Sequence, residues 1–199
     1  MLFTSVALSA DGAMLLTCGS SPDYGDRQVR VWDARTGELR REFSRPQSAG
    51  RFVVLSPDGT TVATSGEGKA IALWDVRTGR LIRELMGHPH PPLSSAFSAD
   101  GRLLVSGGDY RTTMVWEVAT GRLLATMVTF SESRPGSAAD DWLAYTPDGF
   151  YEGSPGIDRY LAWRVGDDLR APDSLGPRLH RPDRLEAALK PTLSDRDSH

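Results

Sequence analysis

Trp74-Asp75-Val76-Arg77-Thr78-Gly79 decides the fold, because the chain repeats it. Forty-two residues earlier stands Trp32-Asp33-Ala34-Arg35-Thr36-Gly37, and 42 residues later Trp116-Glu117-Val118-Ala119-Thr120-Gly121. A fourth tryptophan, Trp163, follows Trp116 by 47 residues, with Arg164-Val165-Gly166 behind it. A second landmark keeps step. Ser9-Ala10-Asp11-Gly12 recurs as Ser56-Pro57-Asp58-Gly59, Ser98-Ala99-Asp100-Gly101 and Thr146-Pro147-Asp148-Gly149. From this glycine to the tryptophan is 15 residues in repeats two and three, 14 in repeat four and 20 in repeat one. The surplus falls in the turn-forming Ser20 to Gly25, and the longer last spacing in the polar Ser131 to Ala139. Insertions therefore sit where loops belong.

Each repeat reads as four short strands. In repeat three these are Leu93 to Phe97, Leu103 to Ser106, Thr113 to Glu117 and Leu123 to Val128. Asp100-Gly101, Gly107-Gly108 and Thr120-Gly121 make the turns between them, since Asp bonds its own backbone and Gly tolerates positive φ. Short strands with turns at this spacing predict an all-β chain. A lone four-stranded sheet cannot bury both faces. Stacking copies side by side around an axis solves that, so the expected architecture is a β-propeller.

These residues resemble WD40 repeats. Trp32-Asp33 and Trp74-Asp75 match the namesake dipeptide, Trp116-Glu117 departs conservatively, and Gly87-His88 matches the Gly-His dipeptide. The repeat length also falls in that range. The resemblance covers roughly residues 2 to 166, with blades at about 2–45, 49–87, 91–130 and 140–166. It implies a hydrogen-bonded His, Ser/Thr, Asp and Trp buried in each blade. His88, Ser106 and Trp116 fill three of those places in repeat three, while Tyr110 stands where the aspartate is expected and Asp109 is one residue early. Repeat one offers Asp26 and Trp32, and repeat two Trp74 with Glu67-Gly68. The segment from Trp142 to Val165 resembles the closing blade of bacterial WD40 proteins encoded with caspase-like peptidases. About four blades fall short of the seven usual in the family. The chain is therefore read as the C-terminal piece of a larger propeller, as a partner to blades of a second chain, or as a small or open ring.

Composition narrows the function. The 199 residues carry a net charge of −3, which argues against a binder driven by contacts to nucleic-acid phosphates. One cysteine, Cys18, excludes an intrachain disulfide and a multi-cysteine zinc site. No apolar run approaches the roughly 18 residues of a membrane span. Met1 to Ala10 lacks the positive charge of a signal peptide, so the chain is expected to be unprocessed and cytoplasmic. The basic residues are nearly all arginine, which suggests a GC-rich bacterial gene.

The candidate chemistry is sparse. Cys18 falls in a strand, where a small residue packs. His88 and His90 stand two apart among prolines with no carboxylate or cysteine close in sequence, so neither reads as a metal ligand. Asp140-Asp141 reads as a solvated loop, and Arg40, Arg41, Arg45 and Arg51 as a solvated outer face rather than a nucleic-acid patch. Phosphate-loop and nucleophile-elbow motifs are missing. No enzyme, cofactor or metal is expected. The expected role is a scaffold presenting loops to a protein or peptide, with Tyr24, Arg27, Lys69, His90, Tyr110 and Arg111 as anchors on one face. The alternative is a sensor or regulatory segment of a caspase-like peptidase encoded in the same or an adjacent gene. Residues 167–199 form a tail with one helix at about 183–190, its N-cap Asp183, Leu185 and Leu189 on one face and Glu186 paired with Lys190.

Overall fold

The computed structural model describes residues 2–20, 28–44, 51–65, 68–130, 141–165, 167–170 and 176–190. The chain forms two compact units. One comprises Met1–Asp109 with Trp116–Arg122, the other Tyr110–Val115 with Leu123–His199.

In the first unit, repeat one is an antiparallel sheet of β1 (Leu2–Leu8), β2 (Met14–Ser20), β3 (Gln28–Asp33) and β4 (Leu39–Ser44), paired in chain order. Repeat two is a second such sheet of β5 (Phe52–Leu55), β6 (Thr61–Ser65), β7 (Ile71–Asp75) and β8 (Leu81–Leu85). Repeat three adds the hairpin β9 (Pro92–Phe97) and β10 (Leu103–Gly108). Strand β11 (Thr112–Glu117) gives its last two residues to this unit and the rest to the other.

The recurring dipeptides build the turns. Ser56 N–H donates to the Thr61 carbonyl, the Ser56 hydroxyl donates to Asp58 at 2.5 Å, and that carboxylate accepts the Thr60 N–H at 3.0 Å. The same bonds recur at Ser9/Asp11 and Ser98/Asp100. Gly59 sits at φ 71°, which a side chain would strain. The aspartate of Trp-Asp closes the next turn. Asp33 accepts the N–H groups of Arg35 and Thr36, and Asp75 accepts both the N–H and the hydroxyl of Thr78.

Packing then stacks the sheets. β5 lies beside β1 on one side and β9 on the other. Leu16, Cys18, Val29, Val31 and Phe43 of sheet one form a core with Val53, Val62, Ala72, Trp74 and Val76 of sheet two. Phe43 and Trp74 lie 5.4 Å apart across it. The Cys18 thiol is buried in this core, at the packing position that the sequence suggests.

The second unit departs from the expected plan. Strand β12 (Leu123–Phe130) is eight residues long, against six for β4 and five for β8. Its C-terminal part, Thr126 to Phe130, presents backbone donors and acceptors along an open edge. Strand β13 (Asp141–Tyr145) takes them up residue for residue, and β14 (Tyr151–Gly153) pairs with β13. Strands β13 and β14 thus extend the sheet beyond β12, where a fourth blade without an obvious outer strand was expected. After a 3₁₀ turn at Ile157–Tyr160, β15 (Trp163–Val165) pairs with β16 (Asp168–Arg170), a strand inside the expected tail. The short α1 (Gly176–Leu179) leads to α2 (Pro182–Leu189). Leu185 of α2 is buried on Ala125 and Ala144, with Leu189 and Trp142 against them. Asp183 is not the N-cap. Arg181 holds that place, and Pro182 fills the first helical position, where its missing N–H costs nothing. Asp183 instead pairs with the Arg181 guanidinium at 2.6 and 2.8 Å. Glu186 and Lys190 pair at 2.8 Å.

The turn carboxylates tie stability to acid. The serine hydroxyls hold Asp11, Asp58 and Asp100 below the usual carboxylate range, and the Arg40 guanidinium lowers Asp33 to about 2. Unfolded aspartates titrate near ~3.9, so this stability is complete above about pH 4 and is lost as pH falls through the lower folded values. Urea midpoints should fall from about pH 4 to about pH 2. Combined Asp11→Asn, Asp58→Asn and Asp100→Asn should flatten that fall; an unchanged slope contradicts the turn account.

Candidate functional site

Three tryptophans share one local design. The indole N–H of Trp32 donates to the Thr17 hydroxyl at 2.9 Å, that of Trp74 to Thr64 at 2.9 Å, and that of Trp116 to Ser106 at 2.8 Å. A buried indole N–H needs an acceptor, and a hydroxyl on the preceding, adjacent strand supplies it. Thr17 and Thr64 were not singled out from the sequence. Their signal is positional, since Thr17, Thr64 and Ser106 each stand five residues after the Asp-Gly glycine.

Repeat three extends the pair. His88 Nε2 and the Ser106 hydroxyl lie 2.7 Å apart, and both residues are buried. Two glycines admit this packing. A Cβ on Gly87, at φ 151°, would lie 3.2 Å from the Trp116 ring, and one on Gly108 would lie 3.2 Å from His88 Nδ1. Among the described residues, that Nδ1 is buried without a hydrogen-bond partner. Either neutral tautomer leaves it unsatisfied, because Nε2 is committed to Ser106. Burial holds the His88 imidazole below its usual pKa, and therefore neutral.

Asp26, Tyr24, Arg27 and Glu67 fall outside the described residues. Lys69 is exposed just before β7, and His90 is half-buried in the approach to β9. Both belong to the first unit. In the second unit Tyr110 is 73% exposed. Tyr110 and Arg111 have φ of 61° and 57°, two consecutive left-handed residues that are not glycine. The mirror-image turn that needs such a pair is ordinarily filled by Asn-Gly. Asp141 is no solvated loop residue, for it accepts the Ser154 hydroxyl at 2.8 Å and the Tyr160 hydroxyl at 3.4 Å. Tyr160 in turn stacks on Phe130 at 5.1 Å.

The family model for WD domain, G-beta repeat (WD40), matches residues 3–33 and 79–117. The first stretch runs through β1 to β3 and ends on Trp32-Asp33; the second carries Gly87-His88, Ser106 and Trp116. This match supports a WD40-repeat relationship, and antiparallel sheets of this construction fit a β-propeller. WD40 repeats generally mediate protein–protein interaction. No curated protein matches the chain. Among the described residues, no helix is long and apolar enough to cross a membrane.

Two outcomes test the networks. Ser106→Ala strands a buried indole N–H and a histidine nitrogen together, and should cost about 2–3 kcal/mol in denaturant unfolding. Thr17→Ala, beside the more exposed Trp32, should cost less. For His88, the unfolded imidazole takes up a proton near pH 6.5 while the folded one resists it. Its contribution is therefore complete above about pH 6.5 and is lost as pH falls. The wild-type melting temperature should drop from about pH 7 to pH 5, and His88→Gln should melt lower but with a flatter dependence. Equal slopes contradict a buried neutral imidazole.

Proposed function

We propose that this chain is a WD40-repeat scaffold that presents its turns to a protein or peptide partner and performs no catalysis of its own. Its polar interior supports this reading. The buried hydroxyls Thr64 and Ser106 and the imidazole of His88 hold tryptophans or one another in place. The Cys18 thiol lies in the apolar core. Rigid sheets hold such turns at low entropic cost, which favours binding over reaction.

The observation that carries the proposal is the Tyr110-Arg111 turn. Two left-handed side-chain-bearing residues cost of order 1–3 kcal/mol each, and such strain clusters where a surface is used. Tyrosine and arginine are also the residues most enriched at binding hot spots. Lys69 and His90 are the matching candidates in the first unit, and Tyr24 and Arg27 are candidates from the sequence alone.

A peptide library selected against the chain supplies the probe. Tyr110→Ala should weaken capture of a selected peptide about tenfold or more. Replacing Tyr110-Arg111 by Asn-Gly should raise stability by about 1–2 kcal/mol while abolishing capture. Unchanged affinity after alanine replacement of Tyr24, Arg27, Lys69, His90, Tyr110 and Arg111 together overturns the assignment.

A further inference from the structure

We propose that the tryptophan-bearing face of the first sheet is an interface that docks a second copy of this chain. The repeats supply the comparison. Aligned on Ser9 and Ser56, Val6 corresponds to Val53, Leu8 to Leu55, Leu15 to Val62, Thr17 to Thr64 and Trp32 to Trp74. The strand registers put each set on one face. Val6 sits opposite Thr17, Leu8 opposite Leu15, and Leu15 opposite Trp32; Val53, Leu55, Val62 and Trp74 repeat the pattern.

The two faces meet different fates. In sheet two this face is covered by Leu16, Cys18, Val31 and Phe43 of sheet one, leaving Val53 1% and Val62 0% exposed. In sheet one Val6 is 62% and Leu8 59% exposed. Two large aliphatic side chains side by side on an inner strand, beside the half-exposed Leu15 and Trp32, make an apolar surface of the kind that marks interaction sites. It is the face that, in sheet two, another sheet of this construction covers, so its fitting occupant is such a sheet.

Charge decides how that sheet arrives. Arg30 and Gln28 occupy the positions of the buried Ala72 and Ala70. Arg30 pairs with Glu42 at 3.4 Å and bonds Gln28 at 2.9 Å. Stacking a sheet over the whole face, as between repeats one and two, would take this ion pair out of water. A two-fold related copy avoids that. It buries Val6 and Leu8 at the centre and leaves Arg30, Glu42 and Gln28 as a polar rim. A rim holding both an arginine and a glutamate is complementary to itself, as a two-fold contact requires.

Light scattering from about 1 to 100 µM tests this, the span over which a homodimer of ordinary affinity assembles. The mass should rise from 21.7 kDa toward twice that value. Val6→Glu with Leu8→Glu should weaken association more than about tenfold with an unchanged melting curve in dilute solution. Met86→Glu, at an equally exposed apolar residue off this face, should leave the dimer intact. Should the double glutamate variant fail to fold, Val6→Cys decides, for it should give a covalent dimer on mild oxidation while Cys18 stays buried. A monomer at every concentration, a dimer that survives the double variant, or no covalent dimer from Val6→Cys overturns the proposal. A monomer would assign the face to a sheet from a different chain. The peptide capture by Tyr110 and Arg111 is read on the monomer and stands or falls separately.

Discussion

The burial of one sheet's tryptophan face under the back of the sheet before it is the constraint on which the first unit rests. A sheet of strands only four to seven residues long has too little material to make a core alone. Placed face to face, sheets one and two bury Val53, Val62, Ala72 and Trp74 against Leu16, Val31 and Phe43. The indole is a large part of this core, but it brings an N–H that must be satisfied. The hydroxyls of Thr17, Thr64 and Ser106 meet that demand from within the same sheet. Each repeat therefore solves its polar problem locally and its apolar problem through its neighbour.

Much of this was legible in the sequence because the repeat fixes phase. Asp-Gly marked the hairpins, and Trp-Asp marked both the third strand and the turn after it, where Asp33 and Asp75 cap backbone N–H groups. The hydroxyl partners Thr17 and Thr64 were equally readable, at a fixed offset from glycine, yet threonine in a strand is too common to stand out without that offset. What the repeat could not give is the pairing of the chain beyond Phe130. Strand pairing there follows the length of β12, and nothing local in Asp141 to Tyr145 distinguishes the start of a new sheet from an added edge strand. The helix was placed within one residue at its N-terminus, but its cap was misassigned. Pro182 supplies the start, and Asp183 prefers the adjacent guanidinium.

The third repeat shows how departures from pattern carry information. Tyr110 stands where an acidic residue is expected, and His88 Nδ1 is left buried without a partner. Among the described residues that interior nitrogen goes without a hydrogen bond, and an exposed aromatic residue sits in a left-handed turn. Under the scaffold proposal, the left-handed Tyr110 is such a departure from local rules made for binding. The same logic applies to Arg30, which replaces a buried alanine position with charge and so changes what the first sheet's face can accept.

Indole hydrogen exchange reports most directly on the central claim that covered, hydroxyl-bonded tryptophans hold the stacked sheets together. Followed by NMR in native buffer, the Nε1 protons of Trp74 and Trp116 should exchange only through global unfolding, with protection that tracks overall stability as denaturant is added. Fast exchange of both, independent of denaturant and comparable to that of exposed loop amides, would contradict the account.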